Sequence, residues 1–185
     1  MSAILDAAAR VLEVDSLAGF NTNRVAEVAG VSVGSLYQYF PSKDALMAAL
    51  IAREQDSLAC AVERCVDACQ KKSLQHSIDS LVEIAIAHQW GNPVYAAALD
   101  HEEQRLPVME TLQAIQMRIV GSIAQLLQRH FAALSHPNRL QLAKDCVVIC
   151  KAMIEAEPLN ASKKALRARL ANVLVAALRA QAKTM

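Results

Sequence analysis

The chain has 185 residues, a net charge of +1, 54% apolar residues and only 4% aromatic ones, so it can bury a substantial core without disulfides or a metal. Charged or amide side chains interrupt its apolar runs every few residues, which excludes a membrane span of about 18 apolar residues. Asp6 and Arg10 interrupt the apolar N-terminus, unlike the pattern of a secretory signal. These features predict a cytoplasmic protein with no membrane partner.

Five cysteines cannot all pair within one chain, and a cytoplasmic compartment would keep them reduced. Two pairs, Cys65 with Cys69 and Cys146 with Cys150, are each spaced by about one helical turn, so a four-thiolate site is geometrically conceivable. The Cys-x-x-x-Cys spacing differs from the Cys-x-x-Cys of structural zinc sites, and a free cysteine commonly behaves as a small buried apolar residue. We therefore expect no metal and no cofactor.

The spacing of helix-breaking residues predicts an all-α chain of about nine helices, with no strand pattern. Helix stops are expected at Ala18-Gly19 and Gly30, where glycine suits a left-handed residue, and Gly91-Asn92-Pro93 is typical of a turn that opens a new helix. N-caps are predicted at Thr22, Ser32 and Ser42. The predicted helices comprise residues 2–17, 22–29, 33–40, 42–70, 74–89, 93–104, 107–133, 137–157 and 161–184.

The first three predicted helices have the pattern of a helix-turn-helix unit. The first helix carries an apolar stripe that predicts packing against its neighbours, made of Ile4, Leu5, Ala8, Val11 and Leu12. The next two helices are joined by a tight turn at Ala29-Gly30-Val31. The second helix of such a unit presents its N-terminal residues to the major groove of DNA, and here these are Ser32, Val33, Gly34 and Ser35.

Three segments of this region resemble the TetR family of repressors. They read ILDAA at residues 4–8, TNRVAEVAGVS at 22–32 and GSLYQYFPSKDAL at 34–46, and Leu36-Tyr37-x-Tyr39-Phe40-x-x-Lys43 is their most specific part. The resemblance implies a helix-turn-helix domain over residues 1–48, followed by a larger helical domain over 49–185 that binds a ligand and dimerises. It also implies a double-stranded DNA operator as partner.

The resemblance assigns DNA contacts to individual residues. Thr22 and Asn23 would contact phosphate at the start of the second helix, and Tyr37 and Lys43 would bind the backbone nearby. The remaining positions would face bases or adjacent phosphates, namely Val33, Gly34, Ser35, Gln38 and Tyr39. The chemistry agrees, because hydroxyl groups and helix N-terminal amides donate to phosphate oxygens and lysine supplies a point charge.

The net charge of residues 1–50 argues against DNA binding. Residues 1–50 contain three basic and five acidic side chains, with no basic arm before Ile4, whereas DNA-binding domains are usually basic. Binding would therefore depend on amides, hydroxyl groups and a second subunit. Two alternatives stay open: the hydroxyl residues act only as caps, or the chain is a dimerising protein with a degenerate helix-turn-helix and no DNA binding.

Polar residues within apolar stripes of the central helices predict a pocket for a small-molecule ligand. Gln116 falls within the stripe of the helix over 107–133, and His88 extends the stripe of the helix over 74–89. A buried polar group needs a partner, which is another side chain, water or a ligand. The candidate ligand contacts are His88, Trp90, Tyr95, His101, Met109, Gln113, Gln116 and Met117.

An all-helical enzyme is the alternative from another class, with His88, His101, Glu102 or Glu103 as acid, base or metal ligand. The sequence offers no nucleophile with a base and an orienting group, and no metal-ligand spacing, to support it. We therefore expect no catalytic residues and no enzyme.

The last two helices predict a homodimer. The helix over 137–157 carries two adjacent apolar stripes, too wide an arc for one neighbour, and pairing it and the helix over 161–184 across a two-fold axis would form a four-helix interface, as the resemblance also implies. Residues 161–185 carry six cations and no acid, so a basic nucleic-acid surface is the alternative to a solvated face. The sequence thus predicts a dimeric repressor that a ligand releases from its operator.

Overall fold

The computed structural model describes residues 1–158 and 160–184. Over these residues the chain is all-α, as predicted, and each observed helix end lies within three residues of the predicted one. No described helix is both long and apolar enough to cross a membrane. The helices are α1 (Ser2–Gly19), α2 (Thr22–Ala29), α3 (Val33–Tyr39), α4 (Lys43–Ala68), α5 (Leu74–Trp90), α6 (Pro93–Arg105), α7 (Met109–His130), α8 (His136–Glu155) and α9 (Lys163–Thr184).

Local chemistry accounts for most helix ends, with two corrections. Gly30 ends α2 in the left-handed conformation with φ of 69°, as predicted, whereas Gly19 has no positive φ. The left-handed residue of α1 is Ser16, at φ 55° and ψ −177°, where the helix kinks. Thr22 is not an N-cap either, since Asn21 caps α2 by accepting a hydrogen bond from the Arg24 amide at 2.9 Å.

The chain forms two compact units. The first comprises Met1–Asp56 with Asn92–Gln113, and in it α1 packs against α2 and α6 while α2 packs against α3. Its core contains fully buried side chains from four of its segments, including Leu12, Phe20, Leu36, Leu46 and Met47. The short helices α2 and α3 are thereby held by apolar packing on a longer scaffold helix.

The second unit comprises Ser57–Gly91 and the chain from Ala114 onward, and α5, α8 and α9 pack together in it. Both apolar stripes of α8 contribute to this core: Ala143 and Ile154 of the first stripe and Leu142 and Cys146 of the second are buried in it. The other members of both stripes are half-buried, so the free apolar surface that the width of the two stripes predicts is small in a single chain. A different α8 residue, Val148, is 65% exposed.

Candidate nucleic-acid interface

The helix α3 contributes little to the core of its own unit. Leu36 is its only buried residue, while Val33 is 37% exposed, Tyr37 43% and Tyr39 57%. Gly34 and Gln38 are exposed as well. Since apolar and aromatic side chains gain stability from burial, a seven-residue helix that buries one of them is a poor core element. The exposed surface of α3 is therefore available for a partner.

A hydroxyl pair fixes α3 to the start of α2. The hydroxyl of Thr22 and the phenol of Tyr37 lie 3.0 Å apart, and Thr22 is buried while Tyr37 is not. When one hydroxyl donates to the other, the accepting group keeps its own hydrogen for an external acceptor. The pair can thus both position α3 and donate to an anion such as phosphate.

The N-cap of α2 is Asn21, which the sequence analysis did not predict. Asn21 accepts from the Arg24 amide and donates from its side-chain nitrogen to the carbonyl of Gly19 at 3.0 Å. Asparagine ranks above threonine as an N-cap, and it stands directly before Thr22, so this signal was present. With Asn21 as the cap, the hydroxyl of Thr22 is available to Tyr37, and Asn23 lies exposed in the first turn of α2.

The caps of α3 and α4 agree with prediction. Ser32 accepts from the amide of Ser35 at 3.0 Å, and the two serine hydroxyls lie 2.8 Å apart. Ser42 accepts from the amide of Ala45 at 3.0 Å and so caps α4. The hydroxyl groups of Ser32 and Ser35 thus have partners within the chain, whereas the amides in the first turn of α4 adjoin an exposed lysine.

That lysine, Lys43, is the only cation between Arg24 and Arg53 in the sequence. Its ammonium group lies 5.5 Å from the ring centroid of Phe20, at the first residue of α4. A cation at a helix N-terminus opposes the helix dipole, so this position is favourable only when an anion is also near. Arg24 is engaged with Glu27 at 2.8 Å and with Asp15 at 3.6 Å. Lys43 is therefore the cation best placed for phosphate.

An ion-pair cluster neutralises the acidic neighbour of Lys43. The guanidinium of Arg105 lies 2.6 Å from carboxylate oxygens of both Asp44 and Glu102. Its hydrogen bonds lower the pKa of the Asp44 carboxyl. Glu102 is buried in this ion pair, and His101 is exposed with its Nε2 4.0 Å from Glu102. This carboxylate thus has a structural partner, and the arrangement gives no support to the enzyme alternative.

Gly34 has no structural reason within the chain to be glycine. It stands in the first turn of α3 without a positive φ, and a Cβ built there would meet only the Ser32 hydroxyl oxygen, at 3.8 Å. Glycine destabilises a helix by about 0.8–1.0 kcal/mol relative to alanine. An unfavourable residue on an exposed surface with space for a methyl group is typical of a position that another molecule approaches closely.

The predicted ligand contacts differ widely in burial. Trp90 is buried at the end of α5 and its carbonyl accepts from the Lys163 ammonium at 3.2 Å, while His88 and Tyr95 are half-buried. The remaining five are solvent-exposed: His101, Met109, Gln113, Gln116 and Met117. The prediction that Gln116 points inward is wrong, because helical periodicity defines a face but does not determine whether a neighbour covers that face.

Tyr95 is the polar group of this set that burial affects most. Its hydroxyl oxygen is buried and forms no hydrogen bond with the described residues. Burial and, to a lesser degree, the Glu54 carboxylate raise the pKa of the phenol. A neutral hydroxyl without a partner destabilises the fold unless something else satisfies it.

The cysteines do not form a metal centre in the part of the chain that the structure describes. No group of three or more His, Cys, Asp or Glu side chains there is placed to hold an ion, so the two cysteine pairs do not combine into a four-thiolate site. Burial raises the pKa of Cys65 to about 11, of Cys146 to about 12 and of Cys150 to about 11. These thiols are protonated at neutral pH, which makes them poor nucleophiles.

Three of the five basic residues of α9 whose side chains the structure describes are engaged within their own unit. Arg167 pairs with Glu83 at 2.8 Å, Arg169 pairs with Glu157, and Lys163 donates to the carbonyl of Trp90. The side chain of Lys183 lies outside the described residues. These contacts favour a solvated charged face over a nucleic-acid surface.

Comparison with known proteins identifies the family. Two protein-family sequence models match the chain. The family of bacterial regulatory proteins, tetR family, matches residues 4–50, and the family of tetracyclin repressor-like C-terminal domains matches residues 73–180. The nucleoid occlusion factor SlmA of Vibrio cholerae is 30% identical over 131 residues, which are 68% of this chain and 65% of that protein. The chain thus spans less than two thirds of this curated relative's length.

Solved structures share the fold. FadR from Bacillus subtilis, in complex with stearoyl-CoA, superposes with a TM-score of 0.68 at 17% identity and covers 94% of this chain and 97% of its own. PfmR from Thermus thermophilus superposes with a TM-score of 0.66 at 15% identity, covering 92% and 96%. At such identities the likeness establishes the fold, and the family models establish the rest: the chain belongs to the TetR family of bacterial transcriptional regulators.

Proposed function

We propose that the chain is a cytoplasmic, homodimeric repressor that binds an operator through α2 and α3 and is released by a small-molecule ligand. In this proposal residues 1–48 bind DNA, and residues 49–185 bind the ligand and dimerise. The observation that carries it is the surface of α3, which exposes Val33, Tyr37 and Tyr39 although a core helix would bury them. Major-groove recognition by the second helix of a helix-turn-helix unit gives that exposure a function.

Backbone contacts come from the groups around this surface. Thr22, Asn23, Tyr37 and Lys43 would donate to phosphate oxygens, and the amides at the start of α2 and α4 would add their partial positive charge. Ser32, Val33, Gly34, Ser35, Gln38 and Tyr39 would lie toward the bases. Since the domain has few free cations, hydroxyl and amide donors would carry a larger share of the affinity than in a basic domain.

Two subunits are needed to occupy two half-sites of an operator. The exposed faces of α8 and α9 support dimerisation, because Val148 is 65% exposed and Val173 41% exposed amid small exposed residues, including Ala152, Ala168 and Ala176. Small side chains let helices approach closely, and antiparallel or crossed pairs of such helices form four-helix interfaces. A closed two-fold dimer would bury this surface in both copies.

Release requires that the ligand binds the DNA-free form more tightly. FadR of Bacillus subtilis holds stearoyl-CoA in the same fold, which supports a ligand site among the helices of residues 49–185. The half-buried His88 and the buried Trp90, at the end of α5, are the groups we assign to it. A ligand that weakens DNA binding tenfold must differ in affinity by about 1.4 kcal/mol between the two forms, and DNA must weaken ligand binding by the same factor.

The proposal is tested by selecting an operator from genomic DNA fragments and measuring its affinity by fluorescence anisotropy. Tyr37→Ala and Lys43→Ala should each weaken binding, while Gln128→Ala, at an exposed position of α7, should bind like the wild type. Failure of the wild type to bind any fragment would favour the dimerising protein with a degenerate helix-turn-helix. Unchanged affinity in both variants would reject the assigned DNA surface.

The likeness to SlmA of Vibrio cholerae, at 30% identity, favours a second candidate, a nucleoid occlusion factor that binds DNA. Deleting the gene discriminates the two. A repressor's loss should raise the transcripts next to its operator, whereas loss of a nucleoid occlusion factor should permit division across the nucleoid without that transcriptional change.

A further inference from the structure

We propose that α3 recognises A·T base pairs, with Gln38 bound to adenine and Val33 packed on the methyl group of thymine. The inference rests on the proposed DNA-binding function and specifies the base pairs of the operator. It follows from the side chains that α3 exposes, from those it lacks, and from the hydrogen bonds that already occupy its hydroxyl groups.

The side chains that recognise G·C pairs are missing from this surface. Arginine and lysine bind the O6 and N7 atoms of guanine, and aspartate and glutamate accept from the amino group of cytosine. Residues 28–42, which include all of α3, contain no charged residue. Lys43 follows at the first residue of α4 and is assigned to phosphate. Recognition through α3 must therefore use neutral groups.

Gln38 is the neutral group with the right chemistry and direction. It lies two residues from the buried Leu36, and two helical steps of about 100° turn it to the opposite, solvent-facing side of α3. Its amide makes no hydrogen bond with the described residues, whereas the hydroxyl of Tyr37 contacts Thr22 and that of Ser35 contacts Ser32. A glutamine amide can accept from N6 of adenine and donate to N7 at the same time.

Val33 supplies an apolar contact at the N-terminal end of the same helix. Val33 is 37% exposed and does not belong to the buried core. The methyl group of thymine is the apolar feature of the major groove. Five residues separate Val33 from Gln38, which is about 7.5 Å along a helix and about two base steps of 3.4 Å. We expect the adenine and the thymine methyl about two base pairs apart in each half-site.

The test uses the full chain and modified operator duplexes. The consensus is first obtained by selection from a random duplex library, and each adenine is then replaced by 7-deazaadenine and each thymine by uracil. One 7-deazaadenine position should lower wild-type affinity roughly 2- to 12-fold, because only the hydrogen bond to N7 is lost, and should have no effect on Gln38→Ala. One uracil position nearby should weaken the wild type and leave Val33→Ala unaffected. Gln128→Ala should respond like the wild type.

The outcomes separate this inference from the proposed function. Selection of G·C pairs at the positions protected by α3, or equal sensitivity of wild type and Gln38→Ala to every 7-deazaadenine, would overturn the inference while leaving DNA binding intact. Absence of any bound duplex would overturn the proposed function and the inference together.

Discussion

Replacing Gly34 by alanine should stabilise the protein and weaken its binding to DNA. A substitution that destabilises the fold usually lowers DNA affinity as well, so a variant that gains stability and loses affinity is informative. The backbone at Gly34 has no positive φ, and a new Cβ would come no closer than 3.8 Å to another group. Alanine can therefore be accommodated without strain in the free protein.

The size of both effects follows from the structure. In a helix interior alanine is favoured over glycine by about 0.8–1.0 kcal/mol, which in a chain of this length raises the melting temperature by about 2–4 °C. Gly34 lies in the first turn of α3, so Gly34→Ala should give only part of this gain. If a base edge or the DNA backbone lies against Gly34, the added methyl group overpacks that contact. Such overpacking costs about 1–3 kcal/mol, or roughly 5- to 150-fold in affinity.

Gly121 provides a matched control, because it is an exposed glycine within α7 whose Cβ would also meet open space. Thermal unfolding followed by circular dichroism should show a gain in both variants, the larger in Gly121→Ala, and fluorescence anisotropy should show weakened operator binding in Gly34→Ala alone. If both variants keep wild-type affinity, DNA does not approach α3 at Gly34 and the assigned surface is refuted.

Other features yield predictions of their own. Tyr95→Phe should raise the free energy of unfolding by about 1–3 kcal/mol, because it removes a buried hydroxyl without a described partner; a loss in denaturant titration would show that the hydroxyl is satisfied. Ser16→Gly should stabilise by about 1 kcal/mol, since relief of backbone strain at φ 55° exceeds the entropic cost of glycine, and an unchanged or lower melting temperature would contradict this. With one phosphate-directed lysine per subunit, a dimer's affinity should fall only about 12-fold between 50 and 200 mM salt; a thousandfold fall would reveal many more cationic contacts. Sedimentation at micromolar concentration should show a dimer, and a monomer would reject the interface assigned to α8 and α9.

Helix existence and most boundaries were predictable because they depend on local chemistry. Gly30, Ser32 and Ser42 stop or start helices through interactions within four residues of themselves. The cap of α2 was misassigned between two adjacent residues that both cap helices, Asn21 and Thr22. The local ranking of caps favours asparagine, so this choice was predictable; the hydrogen bond between Thr22 and Tyr37, fifteen residues apart, was not.

The burial of an apolar stripe was predictable only where another helix covers it. The stripe of α7 continues from the buried Val120 back to Gln116 and Met109 by period, yet both of these are exposed. Conversely, the residues of both α8 stripes are buried or half-buried against the core, although their width suggested a free surface. Periodicity gives the directions of side chains, whereas burial depends on the arrangement of elements distant in sequence. The ion pair of Arg105 with Asp44 likewise joins residues 61 positions apart in the sequence.

Hydrogen–deuterium exchange with and without the selected operator locates the DNA-binding surface of the protein without a mutation. We expect slowed exchange across residues 21–43, which contain α2, α3 and the start of α4, and unchanged exchange in α5. Protection confined to α9, or no protection within residues 21–43 under saturating operator, would contradict the assignment of DNA binding to the helix-turn-helix unit.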